Sequence, residues 1–143
     1  MTTGKTSNRL VSLIRNPIVI AALIFVLNIV LGQIIATILN ILSIKNSTII
    51  TYGGLMAAFI IGSIHAKVVK EKMPNRTKII ATVIYTLAGT AAAIIVLIAT
   101  GLPIVQLTMI ITLGFSLVYA IVIYLFLGLG EKGILKAMQV KKS

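Results

Sequence analysis

Long uncharged apolar runs alternate with short polar segments along this chain of 143 residues. Apolar runs of about 18 residues or more are typical of transmembrane helices. The pattern predicts four such spans, at about residues 17–40, 48–66, 79–100 and 103–129. The last two divide one uncharged stretch, and we place the break at Gly101 and Pro103 because these residues favour a helix end and a helix start. We therefore expect a single all-α domain, a polytopic membrane protein folded as a four-transmembrane-helix bundle.

Prolines and run lengths refine these boundaries. Pro17 suits the first turn of a helix, where its missing N–H has no partner to lose. Pro74 is expected to stop the second helix after that helix has continued past the membrane. The first apolar run is much longer than the roughly 7–15 apolar residues of a signal peptide. We therefore expect it to be retained as a membrane span.

Composition supports a membrane domain, and the charges give it an orientation. Hydrophobic residues make up 59% of the chain and charged residues only 10%, against about 25% charged in soluble domains. The net charge is +11. Basic residues occur before the first span, in the loop at 67–78 and after the last span, whereas Lys45 alone lies on the other side. The positive-inside rule then predicts that both termini are cytoplasmic, in what we expect to be a bacterial inner membrane.

The most polar segment, "HAKVVKEKMPNRTK", joins the second and third spans. Its basic residues are expected to hold the orientation of the protein and to lie near anionic lipid headgroups. No glycine-rich phosphate loop accompanies them, so we expect no nucleic acid partner. The candidate residues of this cytoplasmic loop are His65, Lys67, Lys70, Lys72, Arg76 and Lys78.

Small residues recur every four positions in the predicted spans, a spacing that lets transmembrane helices approach closely. In the second span this helix-packing ridge consists of Gly54, Ala58 and Gly62. We expect the ridge to pack against other helices of the same chain. Homodimerisation through the ridge is the alternative.

No Asp, Glu, Lys or Arg lies within the hydrophobic centre of a predicted span, which argues against a proton relay or a coupled transporter. Glu71 is expected to pair with Lys67 or Lys70, and the only histidine, His65, to form hydrogen bonds at the membrane interface. A role of His65 in pH sensing is the alternative. Without cysteine, and with one histidine, the sequence predicts no metal site, no cofactor and no catalytic residue. We expect a protein that is not an enzyme.

Uncharged polar side chains are the remaining candidates for function. They lie in the middle and outer parts of the first and fourth spans: Asn28, Gln33, Thr37, Asn40 and Thr112. One interpretation is hydrogen bonding between helices. The other is a polar surface or vestibule that meets a partner or a small neutral solute.

The segment "YGGLMAAFIIGSIHAKVVKEKMPNRTK", the third span and the four-span plan resemble uncharacterised small bacterial inner-membrane proteins. Some of these look like immunity proteins against membrane-acting toxins. The resemblance implies a non-catalytic binding module with a membrane or periplasmic protein partner, and it transfers no site residues. Two alternatives stay open. One is a small channel or facilitator for a neutral or anionic solute, with Asn28, Gln33, Thr37 and Asn40 along its path. The other is an accessory subunit of a larger membrane complex.

Overall fold

The computed structural model describes residues 10–43, 52–100 and 106–140, and these form four long helices. They are α1 (Pro17–Ile41), α2 (Tyr52–Val69), α3 (Asn75–Ala99) and α4 (Gln106–Val140). A short helical segment at 10–15 precedes α1. The all-α four-helix fold is confirmed, and each helix is long and apolar enough to cross a membrane. The proposed break at Gly101 and Pro103 lies outside the described residues.

The ends of α1 and α2 follow local backbone chemistry. The Asn16 side chain accepts a hydrogen bond from the Ile18 N–H at 2.9 Å, and Pro17 begins α1. The prediction that Pro74 ends α2 is wrong. That helix ends at Val69, and Lys70 follows it with a φ of 59°, a left-handed conformation typical of helix ends. Pro74 instead immediately precedes the first residue of α3.

The helices also extend beyond the predicted spans. The loop expected at 67–78 contains only residues 70–74, because α2 extends through Val69 and α3 already begins at Asn75. The fourth helix does not end near residue 129 but continues to Val140. Its 35 residues correspond to about 50 Å at roughly 1.5 Å per residue. Lys78 and Glu131, which we had placed outside the spans, therefore belong to helices.

The helices pack in a ring in which α1 contacts α2 and α3, and α4 contacts the same two helices. The α2–α3 connection at 70–74 lies close to Arg15, just before α1, and to Glu131 of α4. We call this end of the bundle the loop end. The opposite end, where α1 and α3 end and α2 and α4 begin, is the distal end. Large apolar side chains are exposed along all four helices, as expected for a surface that faces lipid.

The loop-end half of the bundle has a tightly packed core. Four large side chains from α1 and α4 are completely buried there: Ile20, Ile24, Ile123 and Leu127. Glycines allow α2 and α4 to touch. A Cβ added to Gly62 would meet the Leu127 carbonyl, and one added to Gly130 would meet the Phe59 carbonyl. The two backbones are therefore in direct contact, as small residues allow in membrane helix pairs.

Candidate functional site

A cavity of about 810 Å³ opens in the distal half of the bundle, between α1, α3 and α4. It is lined mainly by apolar surface, with scattered amide and hydroxyl groups and no charged side chain among its described lining residues. Helix α2 does not contribute to the lining. That helix begins at Tyr52, and its Gly53 already lies against Asn28 and Gly32 of α1, at the level of the cavity floor.

Two tyrosines form the floor of this cavity. The Tyr85 and Tyr119 rings, from α3 and α4, lie with their centroids 6.4 Å apart, and their side chains are hydrogen-bonded. Both hydroxyls point at Gly54 of α2, where an added Cβ would collide with them. Gly54 therefore makes room for the tyrosine pair. Below the floor, the buried side chains of the loop-end half, such as Ile24, fill the interior.

The walls above the floor are built from small residues. Gly32 and Ala36 face the cavity from α1, and Gly89 and Ala93 face it from α3. A Cβ added to Gly89 would meet nothing within 4 Å. These small residues leave open space in front of them, unlike Gly62, which lies against a neighbouring backbone. Thr90 and Ser116 share a hydrogen bond of 2.8 Å across the α3–α4 wall.

The structure brings together only part of the polar set expected from the sequence. Asn28, Gln33 and Thr112 line the cavity. Thr37 and Asn40 do not line it. Both are exposed, and the Thr37 hydroxyl donates to the Gln33 carbonyl of its own helix at 2.8 Å. The path proposed along all four polar residues of α1 is therefore not continuous.

The predicted helix-packing ridge lies inside the bundle. Gly54, Ala58 and Gly62 are all buried. Gly54 faces the tyrosine pair and Gly62 faces the Leu127 backbone. These contacts lie within one chain, so the ridge is not free to serve as a dimer surface.

A second polar site, which the sequence analysis missed, lies buried near the loop end. The Lys78 ammonium and the Glu131 carboxylate are 2.6 Å apart, with their side chains only 4% and 1% exposed. The other carboxylate oxygen accepts the Met73 N–H at 2.5 Å, which ties the α2–α3 connection to α4. The Lys78 ammonium also lies 5.9 Å from the centre of the Tyr124 ring. One carboxylate thus holds together α3, α4 and the loop.

His65 borders this buried ion pair, which contradicts the expectation of hydrogen bonds at the interface. Its side chain is 1% exposed, and Nδ1 lies 3.8 Å from a Glu131 oxygen. Within the described part of the chain, neither ring nitrogen has a hydrogen-bond partner. The sequence did contain one indication of this cluster. A four-span topology places His65, Lys78 and Glu131 at the same end of the bundle.

The other basic residues of the predicted loop, unlike Lys78, are on the surface. The exposed basic residues are Lys67, Lys70, Lys72 and Arg76. The expected pairing of Glu71 with Lys67 or Lys70 is wrong, because Glu71 instead accepts from Arg15 at 3.0 Å. The described residues contain no group of three His, Cys, Asp or Glu side chains that could hold a metal ion.

Comparisons with protein-family models, with curated proteins and with solved structures found no match to this chain. The cavity and the buried ion pair are therefore the two features from which a function can be argued.

Proposed function

We propose that this protein is a non-catalytic binding module of the membrane, and that the distal cavity is its binding site. The observation that carries the proposal is the cavity of about 810 Å³. Ligand sites in proteins are typically concavities of about 300–1,000 Å³ with mostly apolar walls and a few polar groups. Most other interior positions of the bundle are filled by packed side chains.

The chemistry of the lining defines the occupant. Its polar groups are amides and hydroxyls, such as those of Asn28, Gln33 and Thr112. A charged occupant would lose its hydration without gaining a counter-charge among these residues. We therefore expect an uncharged, mainly apolar occupant that carries a few hydrogen-bonding groups. A membrane segment of a protein partner has this chemistry.

The most concrete version is an immunity protein that neutralises a membrane-acting toxin. The basic residues Arg15, Lys70 and Arg76 belong to the loop end, and the positive-inside rule favours a cytoplasmic location for that end. The distal cavity would then open towards the periplasmic half of a bacterial inner membrane. A toxin segment that enters the membrane from the periplasm would reach the cavity first.

A facilitator for a small neutral solute is the second candidate, and the amide and hydroxyl groups of the cavity favour it. The buried floor weighs against it, because Tyr85, Ile24 and Leu127 close the interior towards the loop end. A facilitator therefore has to open this floor in each cycle, whereas a binding module does not. An accessory subunit would use the same cavity to hold its complex.

Site-specific photocrosslinking in the native membrane tests the proposal. A photoreactive amino acid replaces Ala93, which lines the cavity, and in a matched control it replaces Gly114, which has no close neighbour and does not line the cavity. We expect one discrete adduct from position 93 that is missing from position 114. Adding Gly89→Leu, whose Cβ enters open space and whose side chain occupies part of the cavity, should abolish that adduct.

Two outcomes would contradict the proposal: identical adducts at both positions, or an adduct at position 93 that survives Gly89→Leu. The identity of the adduct separates the versions. A toxin supports an immunity protein and a stable membrane subunit supports an accessory role. A solute that also crosses liposomes containing the purified protein supports a facilitator.

A further inference from the structure

Polar side chains follow one face of α3 from the loop end to the cavity. Polar residues recur at every fourth position, at Lys78, Thr82 and Thr86. The Cβ atoms of consecutive members are therefore about 5–6 Å apart, on the same side of the helix. Lys78 and Thr82 are buried. Thr86 lines the distal cavity beside Tyr85. We call these three residues the α3 polar line.

The hydroxyls of this line have unused hydrogen-bonding capacity. In the described part of the chain, neither the Thr82 Oγ1 nor the Thr86 Oγ1 has a hydrogen-bond partner, although both atoms are buried. Threonine in a helix often donates to the carbonyl four residues earlier, as Thr37 does in this protein. Buried polar atoms without partners are uncommon in proteins and call for an explanation.

Each end of the line meets a different environment. At the distal side, Thr86 borders the cavity. At the loop side, Lys78 meets the Glu131 carboxylate, next to which His65 presents two ring nitrogens without hydrogen bonds. Carboxylates and imidazoles buried in membrane proteins commonly mark proton pathways.

We propose that the α3 polar line conducts protons between the distal cavity and the His65–Glu131 pair. A proton from water in the cavity passes to the Thr86 hydroxyl, which releases its own proton towards Thr82. Thr82 does the same, so each hydroxyl is unchanged after a transfer and needs only to reorient. Because the spacing exceeds a hydrogen bond, each step requires a water molecule that enters from the cavity.

At the loop end, the proton is taken up by a His65 nitrogen or a Glu131 oxygen and is then released to solvent. Four charged groups act on His65 there: Glu131 of α4, Lys78 of α3, Arg15 before α1 and Glu71 after α2. This activity goes beyond binding in the cavity and requires no occupant.

Proton flux into liposomes tests the proposal on the purified full-length protein. The liposomes contain neutral lipid and a trapped pH-sensitive dye, and a potassium diffusion potential set with valinomycin drives proton uptake. We expect the wild-type protein to acidify the lumen faster than protein-free liposomes do. Thr82→Val should reduce the rate to that of protein-free liposomes, whereas Thr82→Ser, which keeps a hydroxyl, should preserve it.

The chosen variants separate conduction from folding. Thr82→Val removes a hydroxyl that has no partner, so the fold loses no hydrogen bond. Thr100→Val is the control immediately after the end of α3, because its exposed hydroxyl donates to carbonyls of that helix and lies outside the line. The control should conduct like the wild-type protein.

Two results would overturn the proposal: wild-type flux no faster than that of protein-free liposomes, or equal flux through Thr82→Val and Thr82→Ser. Neither result bears on binding in the cavity, since Thr82→Val should leave the photocrosslinks at position 93 unchanged. Conversely, the absence of an adduct at position 93 would not contradict the predicted proton flux.

Discussion

Glycines in the two halves of this bundle differ in what lies next to them. In the loop-end half, Gly62 and Gly130 lie against the backbone of a neighbouring helix, and no larger side chain fits. In the distal half, Gly89 and Gly114 have nothing within 4 Å of an added Cβ. Gly62 and Gly130 thus give close helix contact near the loop, whereas Gly89 leaves open space in the cavity wall.

The distribution of charge differs in the same way. The loop-end half encloses an ion pair that is nearly inaccessible to solvent, whereas the lining of the distal cavity contains only uncharged polar groups among its described residues. Helices α2 and α4 touch in the first half, and the second half has room for an occupant. The loop-end half is therefore the more tightly packed of the two, and the distal half contains the cavity to which we assign the proposed binding role.

Glu131→Gln should give the largest effect, because it leaves the Lys78 ammonium buried without its counter-charge. Removing one partner of a buried ion pair typically costs about 3–5 kcal/mol. The glutamine oxygen can still accept the Met73 N–H, so the loss is specific to the charge. Unfolding in mixed micelles, followed by circular dichroism, measures the free energy. Glu71→Gln is the control, since its carboxylate is exposed, and an equal loss in both variants would contradict the assignment.

Alanine at two glycines should change stability in opposite directions. Gly62→Ala adds a methyl group against the Leu127 carbonyl, and overpacking of this kind costs about 1–3 kcal/mol. Gly89→Ala adds the same methyl group in open space, where alanine in a helix gains roughly 0.5–1 kcal/mol over glycine. The same unfolding experiment measures both values. If both substitutions changed the free energy of unfolding in the same direction, the proposed packing difference between the halves would be contradicted.

The fold was predictable because hydropathy alone separates the four spans. The prediction that α2 ends at Pro74 failed because the backbone conformation of Lys70 ends the helix earlier. Lys70 adopts a left-handed conformation that usually belongs to glycine, so α2 ends five residues before the proline. Hydropathy also cannot show whether a helix continues into the charged residues beside a span. For this reason the sequence did not predict that α3 begins at Asn75 or that α4 extends to Val140.

The candidate site was predictable only in part. Asn28, Gln33 and Thr112 were recognised because polar residues are rare within apolar runs, and these three line the cavity. The buried ion pair was missed, because a lysine and a glutamate at the edges of two spans look like surface charges until the packing of α3 against α4 is known. The cavity itself depends on how α1, α3 and α4 pack against one another, and no local sequence pattern encodes that packing.

Breaking the exposed Arg15–Glu71 ion pair should change the free energy of unfolding least. This prediction compares the exposed carboxylate of Glu71 with the buried one of Glu131. Arg15 and Glu71 lie 3.0 Å apart, with side chains 56% and 69% exposed. Water and salt screen such pairs, and their contribution is about 0–1 kcal/mol. Arg15→Gln should therefore destabilise the protein only slightly, and less at high salt. A double-mutant cycle with Glu71→Gln isolates the interaction energy from the effects of each single change. If that coupling equalled the loss measured for Glu131→Gln, burial would not be what distinguishes the two carboxylates, and the contrast between the halves would have to be explained by packing alone.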